Sequence, residues 1–145
     1  MSKILNKKQK NDKTFGGVVY TKKDTPSGLF NALRWVCGAV STDESRFFMT
    51  GVYFTRNEKG NLRLVATDGC RLHIIDDKSN RIREYAADKF GVEFPDDTIL
   101  SVHATAQEVA FSRPIDGKFP DYNRVIPHNS RVKFAIGLEK KDCTR

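Results

Sequence analysis

Long hydrophobic runs are absent from this sequence, which excludes a helical membrane protein. The stretch around residues 49–55 is uncharged, but no uncharged stretch exceeds ten residues, whereas a transmembrane helix needs about 20 consecutive apolar residues. Near the N-terminus, Ile4 and Leu5 stand among lysines, so the apolar segment of a secretory signal is missing as well. With 39% hydrophobic and 30% charged residues in 145 positions, the composition favours one soluble domain with its own core.

Cysteine is scarce and unpaired. Cys37, Cys70 and Cys143 are far apart in the sequence and form no CxxC motif. A disulfide framework or a structural zinc site would need an even number of cysteines or closely spaced pairs. We therefore expect reduced thiols and a cytoplasmic location.

A recognisable catalytic motif is also lacking. No serine or cysteine lies in a known nucleophile motif, and residues 15–17 (FGG) lack the Lys-Ser/Thr of a phosphate-binding loop. The three histidines have no companions at metal-ligand spacing. The acidic pairs at 76–77 and 96–97 are typical of helix caps and turns. The sequence predicts a protein that is not an enzyme and holds no cofactor or metal.

Positive charge is concentrated at one end of the chain. The net charge is +7, yet residues 1–23 hold seven lysines and one aspartate, while residues 24–145 hold 18 basic and 17 acidic residues. Lys7, Lys8 and Lys10 are therefore candidates for DNA contact, because a polybasic arm can follow a phosphate backbone by releasing counterions. The alternative is a solubilising or cloning-derived tail.

Hydrophobic periodicity predicts a protein of mixed α and β structure. Thr25 as N-cap and Pro26 at the first helical position open a helix that runs through Val40. A second helix is predicted at residues 81–90, ended by Gly91. Alternation and turn residues predict strands at 18–20, 47–56, 62–66, 71–75, 92–94, 98–105 and 108–115. The order is β-α-βββ followed by α-βββ, which belongs to the α+β class.

Three sequence blocks stand out together: residues 40–52 (VSTDESRFFMTGV), 66–72 (ATDGCRL) and 116–127 (DGKFPDYNRVIP). A Thr-Asp-Gly turn alone is common, but an FPDY block that follows an ATDG block at this separation is specific. In this order, the blocks resemble the middle domain of the bacterial sliding clamp family, the beta subunits of DNA polymerase III. The resemblance covers roughly residues 14–127.

The resemblance implies a fold and a domain organisation. Clamp domains pair two β-α-βββ units, whose helices line the central hole of a ring. We expect a single clamp-like domain at residues 14–130, between a basic flexible leader (1–13) and a C-terminal strand or tail (131–145). The interval between Ile75 and Thr98 is shorter than the family leads us to expect, so the second helix is expected to be reduced.

The resemblance also implies a pocket for client proteins, including the polymerase, which insert a short apolar peptide beside the middle domain of a clamp. The corresponding positions in this chain are Met49, Thr67, Gly69, Cys70, Arg71, Leu72, Pro120, Arg124 and Val125. Apolar members suit an adaptable floor, and Arg71 or Arg124 suits a peptide carboxylate or carbonyl. From the residues alone, the alternative is that these side chains cover one edge of a sheet.

Clamp-like DNA contact maps onto Arg46, Phe47 and Phe48. An arginine beside aromatic rings can neutralise phosphate and stack on sugars or bases, although at least one of the two phenylalanines is expected in the core. The first helix, in contrast, has Arg34 as its one charge between Leu29 and Val40. Clamp helices face DNA and are expected to be basic, so this helix favours cover by protein.

Two further departures from the family bear on function. Cys70 stands where the family usually has histidine, which removes a hydrogen-bonding ring from the pocket. A clamp chain has three domains and two chains close the ring, whereas this sequence holds one domain. It would therefore encircle DNA only as a head-to-tail assembly of several copies.

Three functions follow as hypotheses. The leading one is a sliding-clamp-like replication accessory protein of the processivity type, which self-associates, contacts double-stranded DNA weakly and binds client peptides. The second is a stand-alone adaptor or decoy for clamp-binding proteins that does not encircle DNA. The third is a phage or mobile-element remnant whose basic leader binds DNA non-specifically.

Overall fold

A computed structural model describes the backbone of residues 16–125 and the side chains of residues 16–123. The predicted leader with Lys7, Lys8 and Lys10 lies outside the described residues, as does the predicted C-terminal strand or tail at residues 131–145. The description covers the three sequence blocks up to Val125.

Six strands form one antiparallel sheet. They are β1 (Val18–Thr21), β2 (Gly51–Arg56), β3 (Leu62–Thr67), β4 (Leu72–Asp76), β5 (Thr98–Ala104) and β6 (Glu108–Ile115). Their order across the sheet is β1-β6-β5-β2-β3-β4, and every neighbouring pair is antiparallel. Because the directions alternate across six strands, the edge strands β1 and β4 run in opposite directions.

The described residues contain two α-helices, α1 (Ser27–Cys37) and α2 (Arg81–Phe90). The predicted bounds of α2 are confirmed, and Gly91 ends it at φ 64°, a conformation that glycine adopts without steric cost. The second helix is present with ten residues, against eleven in α1.

The predicted start and end of α1 need correction. Pro26 occupies the N-cap position, and no side chain caps the helix. Thr25, the predicted cap, is buried instead. The helix stops at Cys37, before the predicted end at Val40, because Gly38 turns its N–H onto the carbonyl of Trp35 at 3.1 Å.

Both helices cover the same side of the sheet, which we call the helix face. Alternate strand residues point into this core together with five residues of α1: Val18, Tyr20, Val52, Phe54, Leu62, Leu64, Ala66, Leu100, Val109 and Phe111 from the strands, and Leu29, Phe30, Leu33, Val36 and Cys37 from the helix. The Tyr20 hydroxyl donates to the carbonyl of Ile82 at 2.8 Å, which joins β1 to α2. Burial raises the pKa of the Cys37 thiol to about 12, so this thiol stays protonated.

Two strand predictions were wrong in part. Residues 92–94 do not form a strand; Phe94 is buried because its ring stacks on Phe54, with ring centroids 4.7 Å apart. Pro95 follows directly and has no N–H to give to a strand ladder. The strand predicted from Phe47 begins only at Gly51, because a 3-10 segment occupies Glu44–Met49. The α+β class is confirmed, with β-α-βββ followed by α-ββ in the described part.

The opposite side of the sheet, the second face, carries a smaller apolar cluster. Its buried members are Val65, Leu72, Ile74, Ile99 and Phe119. Residues 116–125, which we call the return segment, supply Phe119 to this cluster after β6. The Phe119 ring lies almost parallel to that of Tyr53, at 5° and a centroid distance of 4.8 Å. The return segment therefore packs on the second face, with Phe119 stacked on β2 and in one cluster with residues of β3, β4 and β5.

Candidate functional site

The turn between β3 and β4 is held by its own side chains. The Thr67 hydroxyl donates to the carbonyl of Arg71 at 2.6 Å and accepts from the N–H of Gly69 at 3.1 Å. One carboxylate oxygen of Asp68 accepts from the N–H groups of Cys70 and Arg71 at 2.9 and 3.0 Å. Gly69 has φ 97°, where other residues are strained. These bonds fix a turn that exposes Cys70 to solvent.

Asp68 also holds the Arg71 side chain. The second carboxylate oxygen accepts from Nε of Arg71 at 3.2 Å. Burial alone would raise the pKa of Asp68, but the backbone hydrogen bonds and the guanidinium bring it below its usual value, so the group is ionised at neutral pH. Among the described contacts only Nε of Arg71 is used, which leaves its Nη groups to donate to a ligand.

Arg46 extends from the 3-10 segment across this turn. A Cβ placed on Gly69 would lie 2.9 Å from Nη1 of Arg46, so the guanidinium lies against the turn backbone. At the start of the segment, the Asp43 carboxylate accepts from the N–H and the hydroxyl of Ser45 at 3.0 and 2.7 Å. These hydrogen bonds lower the pKa of Asp43. The first and second sequence blocks thus meet at one end of the sheet.

Phe47 and Phe48 connect the first block to the third. Their rings are 5.8 Å apart and nearly perpendicular. A Cβ on Gly117 would lie 3.1 Å from Cβ of Phe48 and 3.2 Å from Cε2 of Phe47. Phe48 is half-buried against the cluster of the second face, whereas Phe47 is 49% exposed. One phenylalanine is therefore core-facing, as expected, and the other is open to solvent.

The return segment brings the third block beside β4. Leu72 and Phe119 belong to the same buried cluster, and half-buried Pro120 follows Phe119. Further along, Tyr122 lies close enough to Arg63 to affect the pKa of its guanidinium. Arg63 in turn makes two hydrogen bonds to Asp76 at 2.7 and 3.0 Å, and this carboxylate, with Tyr122, raises the pKa of the guanidinium. The segment is thus tied to β3 and β4 by polar as well as apolar contacts.

The structure places five predicted pocket residues on or next to the β3–β4 turn: Thr67, Gly69, Cys70, Arg71 and Leu72. Met49 belongs to the 3-10 segment whose Arg46 meets this turn, and Pro120 follows Phe119 of the second-face cluster. Met49 and Leu72 are 5% and 6% exposed, whereas the other members are more accessible. Arg124 and Val125 belong to a 3-10 turn, Tyr122–Val125, but their side chains lie outside the described ones. We call this set, without the last two, the candidate groove.

Three structural contributors were missed by sequence reasoning. Asp68 orders the turn, Phe119 shares the second-face cluster with Leu72, and Tyr122 lies near Arg63 of β3. Asp68 and the two aromatic residues lie within the quoted blocks, so the motif itself was the available indication. Their partners are distant in sequence and could not be assigned from it.

Metal and membrane sites are not indicated in the part of the chain described. Within residues 16–125, no three His, Cys, Asp or Glu side chains are grouped as metal ligands would be. Neither helix in that range has the length and apolarity needed to span a bilayer.

Comparison with known proteins points to one class. No protein-family model matches the chain. The beta sliding clamp of Caulobacter vibrioides is 36% identical over 116 residues, which cover 63% of this chain and 30% of the relative. The beta sliding clamp of Treponema pallidum is 32% identical over 132 residues, covering 77% of this chain and 34% of the relative.

Matches to solved structures also cover most of this chain and about one third of the matched chain. The DNA polymerase III beta subunit of Thermotoga maritima has a TM-score of 0.46 and 22% identity, over 78% of this chain and 34% of that chain. The sliding clamp of Bartonella birtlesii, bound to griselimycin, has a TM-score of 0.44 and 26% identity, over 79% and 35%. The assignment below rests on the sequence matches.

The adjoining blocks and the sequence matches together indicate similarity to a domain of the DNA sliding-clamp class. In particular, the chain resembles a single domain of the bacterial beta sliding clamp, the beta subunit of DNA polymerase III. The chain spans about one third of the length of the curated relatives it matches. The resemblance recognised in the sequence is thereby confirmed.

Proposed function

We propose that this protein is a non-catalytic, sliding-clamp-like accessory protein of cytoplasmic DNA replication, and that its candidate groove binds short apolar peptides of client proteins. The observation that carries the proposal is the meeting of the β3–β4 turn with the return segment, which places Leu72 and Phe119 in one cluster. An apolar base rimmed by a few placed polar groups is typical of a peptide-binding surface.

Each part of the groove has a defined task in this proposal. Leu72 and Met49 supply apolar contact at the base, where methionine adapts to different side chains. Arg71, oriented by Asp68, offers its Nη donors to peptide carbonyl or carboxylate oxygens. Cys70 lies exposed on the turn and borders the bound peptide. From the resemblance, Arg124 and Val125 are proposed as further client contacts.

DNA contact is proposed at the neighbouring 3-10 segment. Arg46 and Phe47 are exposed, as contact with phosphate and sugar requires. Lys7, Lys8 and Lys10 of the leader add salt-sensitive, non-specific attraction to double-stranded DNA. Because Arg46 also lies against Gly69, DNA and a client peptide would approach the domain at adjacent positions.

Self-association is proposed through the two edges of the sheet. A second copy in the same orientation would set its β4 beside β1 of the first, and the two strands would be antiparallel because the edge strands run in opposite directions. Such head-to-tail contacts can be repeated and can close into a ring. Exposed strand edges favour pairing with another chain.

Sedimentation velocity tests the self-association. We expect species heavier than the monomer, with a fraction that increases with protein concentration because association follows mass action. A strictly monomeric protein at every concentration would contradict the ring proposal and favour the adaptor or decoy. The single basic residue of α1, Arg34, is the observation that supports this second candidate, since it leaves this helix poorly suited to DNA contact.

Peptide binding is tested with a short fluorescein-labelled clamp-binding peptide, measured by fluorescence polarisation. We expect the wild type to bind and Cys70→Asp to weaken binding by about tenfold or more, because it introduces a charge at the apolar groove. Ser79→Asp, an equal charge change at an exposed site beyond the other end of β4, is the matched control and should bind like the wild type. No binding by the wild type would refute the groove, and equal weakening by both variants would show that it is not the site.

A further inference from the structure

The strand β4 is an edge strand whose two sides are held by different parts of the chain. Within the described residues only β3 pairs with it. Leu72 and Ile74 point to the second face and join the cluster of Phe119. His73 and Ile75 point to the helix face, because successive side chains of a strand alternate. The strand that begins with Leu72 is thus positioned from both sides of the sheet.

On the helix face, His73 makes a double contact with one residue of α1. Its ring is stacked on the indole of Trp35, with centroids 3.9 Å apart and an angle of 4° between the planes. Its Nδ1 lies 2.7 Å from the backbone carbonyl oxygen of Trp35. A hydrogen bond across this distance requires Nδ1 to carry the proton and donate it. His73 is 5% exposed, whereas Trp35 is 38% exposed.

This contact is specific in orientation as well as in position. The stacking fixes the plane of the imidazole ring, and the hydrogen bond fixes the direction in which Nδ1 points within that plane. Because one residue of α1 supplies both partners, a shift of β4 along or away from the helix would break both together. The last turn of α1 therefore acts on the strand residue adjacent to Leu72.

We propose that Trp35 and His73 are positioning residues for the candidate groove. They hold β4 from the helix face, and through the strand backbone they hold Leu72 and the β3–β4 turn that begins the groove. The inference rests on the proposed peptide binding at that groove. It adds residues on the opposite side of the sheet, which no ligand in the groove would touch.

The geometry also implies a spectroscopic signature. Trp35 is the single tryptophan of the chain, so intrinsic tryptophan emission reports on the surroundings of this one residue. A peptide that presses on Leu72 displaces its neighbour His73 and changes the stacking of the imidazole on the indole. Peptide binding should therefore change Trp35 emission even though the indole lies on the far face of the sheet.

The test compares His73→Ala with His103→Ala, since His103 is exposed on β5. Polarisation of the labelled clamp-binding peptide gives affinity, and an unlabelled copy of the peptide is used to follow Trp35 emission. We expect His73→Ala to weaken binding by about tenfold and to abolish the emission change. His103→Ala should keep both.

A second pair of variants guards against loss of folding. Trp35→Ala removes the stacking ring at a partly exposed position and should weaken the peptide by a similar factor, with circular dichroism unchanged. Trp35→Phe keeps an aromatic ring over His73 and the backbone carbonyl, so it should restore most of the affinity. Rescue by phenylalanine would not follow from a general loss of stability.

The outcomes separate the inference from the function on which it rests. Wild-type affinity in both folded alanine variants, or an emission change that persists in His73→Ala, would overturn the positioning role while leaving the groove in place. Absence of a polarisation change with the wild-type protein would overturn the proposed function and this inference together.

Discussion

Truncation of Phe119 to alanine is expected to lower the free energy of unfolding by about 3–5 kcal/mol, the usual loss for a buried phenylalanine. Phe119 is 7% exposed and stacks on Tyr53, so the variant loses both buried area and an aromatic pair. It would also loosen the cluster that contains Leu72 and release the return segment from the second face. Peptide affinity should therefore fall with stability.

Urea unfolding followed by circular dichroism measures the loss in free energy of unfolding. Fluorescence polarisation of the labelled peptide, under conditions where the variant is still folded, measures the loss of affinity. Phe119→Leu is the control, because it keeps most of the buried volume and should cost less than half as much. A Phe119→Ala variant as stable as the wild type would show that the return segment does not pack on the second face.

Gly51→Ala is expected to destabilise the fold by about 3 kcal/mol, at the upper end of the usual cost of overpacking. Gly51 lies opposite Ser101 of β5. An added Cβ would overlap the carbonyl oxygen of Leu100 and would lie 2.9 Å from Cδ1 of Ile115 and 3.0 Å from Cγ2 of Ile99. Because β2 and β5 are central strands, neither can move aside without disturbing the sheet.

Gly28→Ala is the matched control for this substitution. A Cβ at Gly28, in the first turn of α1, meets nothing within 4 Å, and alanine in a helix is favoured over glycine by about 0.5–1 kcal/mol. Thermal unfolding should thus give a lower Tm for Gly51→Ala and an equal or higher one for Gly28→Ala. An unchanged Tm for Gly51→Ala would contradict the register of β2 against β5.

Much of the fold could be predicted because local chemistry and the final structure agree. The helix at residues 81–90 combines an amphipathic pattern with a glycine stop, and the structure keeps both. The strands on either side of the Asp68-Gly69 turn were also predicted within one residue at each end. In both cases the decisive interactions are close in sequence.

The errors occurred where a distant partner decides the conformation. Val92 and Phe94 alternate with Glu93 as in a strand. In the structure, however, the ring of Phe94 stacks on that of Phe54, forty residues earlier in the chain. Pro95 has no N–H to donate to a neighbouring strand. Thr25 has the chemistry of an N-cap, yet the structure buries it. A pattern of residue types cannot reveal which of two compatible environments a side chain enters.

The candidate site shows the same division. The three blocks were expected to meet, and the contacts of Arg46 with the Gly69 turn and of Phe48 with Gly117 bring them together. The stacking of His73 on Trp35 joins residues 38 positions apart and had no indication in the sequence. The two rings meet only because α1 packs against β4 in the folded structure.

The most direct test of the account is to map a clamp-binding peptide onto the full chain by NMR chemical-shift perturbation. We predict that the largest shifts will cluster at Arg46–Met49, the turn from Thr67 to Leu72, and the return segment around Phe119, with smaller shifts at His73 and Trp35. Shifts confined to other surfaces, or no shifts at saturating peptide, would contradict the assignment of this surface as the client site.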